Sequence, residues 1–324
     1  MKKNILVYKK IPADQLVRLQ REFNVFYFDG IDEYNRQDVF EKLKICEGML
    51  GSSASFKGDA LDSAVRLKAV STISVGYDNF NVASLTQRNI RLMHTPDVLT
   101  DTTADTIFML ILMTARRAVE LSDFIRNKQW HKSIGSEYYG TDVHHKTLGI
   151  LGMGRIGQAV AKRAFCGFDM TILYHSSSRK TEVESLYRAT YCELDELLKK
   201  SDFVCITLPL NKNTEKLISK EKLRLMKPTA ILVNGGRGKI VDENALTEAL
   251  KNKTIRAAGL DVFEVEPLPL NSELLDLPNA VLLPHIGSAT EETRHNMVAC
   301  AVDNLIAALK PEKPEKNLVN TEVD

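Results

Sequence analysis

Thr147-Leu148-Gly149-Ile150-Leu151-Gly152-Met153-Gly154-Arg155-Ile156-Gly157 is the stretch whose reading decides the fold. An apolar, strand-like run ends in a Gly-x-Gly-x-x-Gly turn, and a helical pattern, Ile156–Phe165, follows at once. Glycines at this spacing are common, but a strand before them and a helix after them make a dinucleotide fingerprint. Gly152 permits the tight turn, Gly154 lets the main chain approach a pyrophosphate, and Gly157 lets helix and strand pack closely. The helix start at Arg155 and Ile156 then presents N–H groups and partial positive charge to the phosphates.

From that point the sequence alternates strands and helices to the end of the chain. Strands are predicted at Thr171–Tyr174, Phe203–Leu208, Ala230–Asn234, Ala257–Val262 and Val281–Leu283. Helices are predicted to Cys166, over Leu194–Lys200 and Ala245–Leu250, and finally over Glu291–Leu309. A similar rhythm precedes the fingerprint, with strands at Asn4–Tyr8, Val25–Phe28, up to Gly51 and over Val70–Ser74, and a helix at Pro12–Glu22. Alternation of this kind implies parallel sheets with helices on both faces. The fold class is therefore α/β, with two Rossmann-like or flavodoxin-like parallel-sheet domains and a cleft between them. Because the fingerprint opens the second rhythm, residues 99–287 are expected to form the dinucleotide-binding domain. Residues 1–98, rejoined by 288–324, are expected to form the substrate-binding, catalytic domain. Asp101–Ser122 reads as one long helix, too apolar to face water, so a homodimer is expected with this helix and Arg126–Asp142 near the contact. The polar tail after Pro311 reads as loose.

Composition narrows the function classes. A formal net charge of +1 gives no electrostatic reason to expect nucleic acid or an anionic membrane surface. No apolar stretch approaches the roughly 20 residues of a membrane span. The five cysteines are scattered and contain no Cys-x-x-Cys pair, so neither a metal site nor a disulfide framework is expected. A reducing, cytoplasmic setting is the expectation.

Three strand ends after the fingerprint carry chemistry. Asn234-Gly235-Gly236-Arg237-Gly238 places an arginine between glycines, where its planar fork can hold a carboxylate through two bonds. His285, in Pro284–Thr290, is an acid–base candidate, although a lone histidine is more often structural. Asp261, Glu264 and Glu266 are its possible carboxylate partners, and spacing does not choose among them. At the end of Thr171–Tyr174, where an NAD site usually carries an acid for the ribose hydroxyls, the chain reads His175-Ser176-Ser177-Ser178-Arg179-Lys180. Ser177, Arg179 and Lys180 suit a 2′-phosphate, and no carboxylate is expected to repel it. NADP(H) is favoured, with NAD(H) also usable.

Met226–Leu246, Ala258–Pro267 and Pro284–Thr290 resemble the D-isomer-specific 2-hydroxyacid dehydrogenases. Ser71–Phe80, Leu92–Thr100 and Tyr138–Gly157 are similar in detail to the bacterial glyoxylate/hydroxypyruvate reductases of that family, also called 2-ketogluconate reductases. The resemblance covers essentially the whole chain. It implies Arg237 as carboxylate and carbonyl binder, Glu266 as the histidine's partner and His285 as the acid–base. It also implies substrate-binding amides at Val75 and Gly76, and Thr106, Val233 and Asp261 near the cofactor.

The expected activity is NADPH-dependent reduction of small 2-keto acids, such as glyoxylate, hydroxypyruvate or 2-ketogluconate, to D-2-hydroxy acids. Two alternatives remain at this stage. One is a redox-sensing, nucleotide-binding regulator on the same fold, which the intact trio of Arg237, Glu266 and His285 disfavours. The other is a related enzyme such as a phosphoglycerate dehydrogenase, for which a further regulatory domain or a richer basic cluster would be expected.

Overall fold

The computed structural model describes residues 2–52 and 59–323. They fall into two compact units, Met1–Leu99 with Thr290–Asp324, and Thr100–Ala289.

The first unit contains β1 (Asn4–Val7), α1 (Ala13–Glu22), β2 (Asn24–Tyr27), α2 (Arg36–Leu43), β3 (Gly48–Gly51), α3 (Asp59–Asp62), β4 (Ala69–Thr72), α4 (Val82–Gln87) and β5 (Arg91–Met93). Its five strands are parallel in the order β2-β1-β3-β4-β5. Every residue of β3 and β4 is buried, as parallel strands covered on both faces must be.

The second unit begins with α5 (Thr100–Ala115) and α6 (Ala118–Arg126). It continues with β6 (Thr147–Leu151), α7 (Arg155–Phe168), β7 (Thr171–His175), α8 (Thr181–Tyr187), β8 (Thr190–Tyr191), α9 (Leu194–Lys200) and β9 (Phe203–Ile206). It ends with α10 (Lys220–Leu225), β10 (Ile231–Asn234), α11 (Glu243–Lys251), β11 (Ala257–Leu260) and β12 (Ala280–Leu282). Its seven parallel strands lie in the order β12-β11-β10-β9-β6-β7-β8. The order reverses direction between β6 and β9, and a ligand crevice forms beyond the carboxyl ends of strands at such a point. The last helix, α12 (Glu291–Ala308), returns to the first unit, where Ser71 of β4 donates to the Ala301 carbonyl at 2.8 Å.

Two expectations need correction. The apolar run Asp101–Ser122 is two helices, because Arg117 adopts a left-handed conformation (φ 55°) between them. The Arg117 guanidinium holds Glu120 at 2.6 and 2.8 Å and also the Glu137 carbonyl, so local polar contacts override the continuing apolar pattern. The tail after Pro311 is docked rather than loose. Leu318 bridges Met93, and Val319 N–H donates to the Leu92 carbonyl at 2.8 Å. The buried Asn320 side chain accepts from Leu92 N–H and donates to the Ile90 carbonyl, filling the place of a neighbouring strand. Arg91, only 8% exposed, donates to the carbonyls of Ala308 and Lys310 and so closes the end of α12.

Among the described residues no helix is long and apolar enough to cross a membrane.

Candidate active site

The glycine turn has the geometry its sequence requires. Gly152 takes φ +101°, which side chains rarely adopt, and a Cβ at Gly157 would collide with the Gly152 carbonyl. Thr207, at the end of β9, donates its hydroxyl to that same carbonyl at 2.6 Å and fixes the turn from the neighbouring strand. Space above Gly154 is open, and no side chain caps the first turn of α7. The N–H groups at Arg155, Ile156 and Gly157 are thus arranged as a phosphate cradle, and the residues present fit a dinucleotide.

The loops after β10, β11 and β12 bring the acid–base candidates together. His285 Nδ1 lies 2.7 Å from Glu266 Oε2, and the other Glu266 oxygen accepts from Phe263 N–H at 3.1 Å. Burial raises the Glu266 carboxyl. The His285 hydrogen bond, the Phe263 N–H and the charges of His285 and Arg237 outweigh that and leave it below its ordinary range. Glu266 is therefore the carboxylate that faces the histidine. Glu264 turns away, its oxygen 3.6 Å from Lys216 Nζ and its N–H bonded to Glu243.

Asp261 has a different place. It is 3% exposed, and its two oxygens accept the Ile286 and Gly287 N–H groups at 2.7 and 2.8 Å. Burial raises its carboxyl above the usual range despite those bonds. The bonds clamp the main chain just after His285, which itself adopts φ 53°. A left-handed histidine costs on the order of 1 kcal/mol, so the clamp holds the imidazole in a conformation it would otherwise leave.

Arg237 is half-buried with extended main chain, and its Nη1 donates to the Gly236 carbonyl at 2.9 Å. Asn234 builds this turn: its side chain accepts from Gly236 N–H and donates to the Arg237 carbonyl. A Cβ at Gly238 would overlap the Phe263 carbonyl, so glycine lets the Arg237 turn touch the loop that carries Glu266. Sequence reasoning missed Asn234, although asparagine before two glycines signals a side-chain-stabilised turn. It also missed Thr207, for which no motif offered a signal.

Val233 is fully buried in β10, between β9 and β11, and has no atom exposed to a ligand. Thr106 is buried on α5 and donates to the Thr102 carbonyl; its neighbour Ile107 packs on Gly235. In the first unit, Ser74–Tyr77 is an irregular turn after β4. The ring of His94 lies 3.0 Å from the Val75 carbonyl, and Thr95 N–H donates to the Ser74 carbonyl. That leaves the Val75–Gly76 segment partly exposed on a braced turn.

At the far end of the glycine turn, Ser177 and Arg179 are exposed after β7 and Lys180 is half-buried. One expectation is corrected here. A carboxylate does stand beside these residues: Glu184 on α8 binds Arg179 through both oxygens, at 3.1 and 2.7 Å. Among the described residues no group of three or more His, Cys, Asp or Glu could hold a metal ion.

A doubly wound sheet with a phosphate-binding glycine turn, and a carboxylate–histidine pair with an arginine at adjacent strand ends, defines a nicotinamide-dependent dehydrogenase. Residues 108–287 match the NAD binding domain of the D-isomer specific 2-hydroxyacid dehydrogenases. Glyoxylate/hydroxypyruvate reductase B of Serratia proteamaculans is 54% identical over 323 residues, covering 100% of this chain and 99% of that one. Among solved structures, a protein from Thermus thermophilus is 39% identical with a TM-score of 0.89, covering 98% of this chain and 99% of that one. An NADPH-dependent glyoxylate/hydroxypyruvate reductase from Sinorhizobium meliloti, in complex with NADP and malonate, is 31% identical with a TM-score of 0.87. It covers 100% of this chain and 98% of that one. The chain belongs to the D-isomer specific 2-hydroxyacid dehydrogenase family and is an oxidoreductase.

Proposed function

We propose that this protein is an NADPH-dependent reductase of small 2-keto acids, with glyoxylate and hydroxypyruvate as its first substrates and 2-ketogluconate as a further candidate. The observation that carries the reading is the 2.7 Å pairing of His285 Nδ1 with Glu266. With Nδ1 engaged, Nε2 is the nitrogen that meets substrate. Bound NADPH supplies the hydride. His285, in its protonated form and paired with the Glu266 carboxylate, donates its Nε2 proton to the oxygen of the keto group as negative charge develops there. Arg237 pairs with the substrate carboxylate and orients the carbonyl. The main-chain N–H groups at Val75 and Gly76 are the first unit's candidates for binding a substrate carboxylate. Gly152, Gly154, Arg155, Ile156 and Gly157 hold the pyrophosphate, with Val233 and Asp261 near the nicotinamide and Thr106 near the cofactor. Ser177, Arg179 and Lys180 read the 2′-phosphate. The names of the Serratia and Sinorhizobium relatives support both the substrate class and the cofactor.

The working form in this reading is a cytoplasmic homodimer. An open apolar groove lined by Phe108, Met109, Leu112, Met113 and Phe168 runs between α5 and α7, and Trp130, Ile134 and Tyr139 are exposed farther along. The test of the activity is a rate measurement with NADPH and NADH against a panel of 2-keto acids. Turnover of glyoxylate and hydroxypyruvate with higher kcat/KM for NADPH is expected. No turnover of any 2-keto acid would refute the reading.

A further inference from the structure

Four groups between β7 and α8 close a ring of hydrogen bonds. Lys180 N–H donates to the Tyr174 hydroxyl oxygen at 2.7 Å, and that hydroxyl donates to Glu184 Oε1 at 2.6 Å. Arg179 donates Nε–H to Oε1 at 3.1 Å and Nη2–H to Oε2 at 2.7 Å. The ring starts and finishes at adjacent residues of the loop proposed to read the 2′-phosphate. Its anchor is the Tyr174 ring, which is fully buried and packs edge-on against Tyr191 with centroids 5.5 Å apart. Its outer member is Arg179, whose side chain is 66% exposed.

The chemistry of the ring is one-sided. Guanidinium carries five N–H groups in a rigid fork. Glu184 takes the Nε and Nη2 edge, so a phosphate would be met by the remaining N–H groups. An exposed arginine with no such restraint spreads over many rotamers and loses that freedom when it binds. The opposing effect is repulsion between Glu184 and a phosphate, but across a guanidinium and in water that interaction is weak and screened by salt. Orientation and repulsion act in opposite directions on a phosphate, and the Glu184→Gln affinity decides between them.

We propose that Tyr174 and Glu184 are positioning residues that aim Arg179 at the 2′-phosphate, so that cofactor choice depends on residues beyond the loop itself, one of them in the core. This rests on the proposed assignment of Arg179 to the 2′-phosphate. A purely structural role for the same ring, tying β7 to α8, would affect ligands with and without that phosphate alike.

The two are separated by calorimetric titration of the full-length enzyme with adenosine 2′,5′-bisphosphate and adenosine 5′-monophosphate, which differ only in the 2′-phosphate. The readout is the ratio of the two affinities. Tyr174→Phe removes one hydroxyl and should lower the ratio roughly three- to tenfold, the scale of one hydrogen bond. Glu184→Gln should lower it as well. In an Arg179→Ala background, Tyr174→Phe should lower it no further, as residues acting through one another require. A wild-type ratio in Tyr174→Phe, alongside a reduced ratio in Arg179→Ala, would overturn the positioning role and leave the 2′-phosphate reading intact. An equal drop in both backgrounds would also overturn it. A ratio above wild type in Glu184→Gln would make Glu184 a competitor for Arg179 and refute the proposal. A wild-type ratio in Arg179→Ala would instead refute the underlying assignment of Arg179.

Discussion

Changing Glu266 to glutamine should remove about 1 kcal/mol of attraction from the imidazolium and move the alkaline limb of the reductive pH profile to lower pH. Both carboxylate oxygens are in use, one by His285 and one by Phe263 N–H. An amide offers a single acceptor oxygen, so it cannot accept from both Phe263 N–H and a protonated Nδ1, and the negative charge goes in any case. Unit charges about 4 Å apart attract by about 1 kcal/mol in water and about 4 kcal/mol in a surface-like medium. The His285 and Glu266 side chains are 49% and 35% exposed, which places the pair toward the watery end of that range. The sign follows from the charge states. The Glu266 carboxyl lies below its usual range, so it is ionised at neutral pH. Its loss disfavours the imidazolium, which reduction consumes, and activity then fails at a lower pH. The assay is kcat against pH with NADPH and hydroxypyruvate, repeated with nicotinamide-deuterated NADPH to show that hydride transfer limits the rate. An unmoved alkaline limb with a full isotope effect would refute the coupling of Glu266 to His285.

His285→Ala should cut kcat by about a hundredfold or more, the scale of a lost general acid, while NADPH still quenches or enhances protein fluorescence on binding; near-wild-type turnover would remove His285 from the chemistry. Met109→Glu, on the apolar groove beside α7, should convert a homodimer to monomer in light scattering; a wild-type protein that is already monomeric would refute the assembly reading. Arg91→Met should cost about 2–4 kcal/mol, because it strips a buried cation from the carbonyls that end α12 and leaves them unsatisfied. Urea denaturation measures this, and a loss under about 0.5 kcal/mol would mean the carbonyls find other partners.

The parts of the fold that could be read in advance are those where the residues themselves dictate the backbone. Thr147–Leu151 and Leu194–Lys200 have the predicted bounds, because an apolar run before glycine and an amphipathic run of strong helix formers leave few choices. The helices α2, α3, α4, α8 and α10 and the strands β5 and β8 were not foreseen; they are short, and their apolar residues are too few to show a period. The break at Arg117 was hidden because neither glycine nor proline marks it. The docked tail was hidden because asparagine side chains replace main-chain pairing there, and polar composition reads the same whether a segment is solvated or bonded. At the site, residue types pointed to a histidine with an acid, but three carboxylates within six positions were equal by spacing. Only the loop geometry places Asp261 on the main chain, Glu264 toward Lys216 and Glu266 on the imidazole.

The return of α12 to the first unit sets an order of events during synthesis. Gly48 of β3 packs under Leu305 and Leu309, and β4 is bonded to Ala301, so the sheet made first is sealed by residues made last. All of residues 100–289 emerge from the ribosome in between, a delay of roughly 10–40 s at ordinary elongation rates. The second unit is contiguous and can close on itself as it appears. The first must wait with the apolar face that α12 later covers still bare.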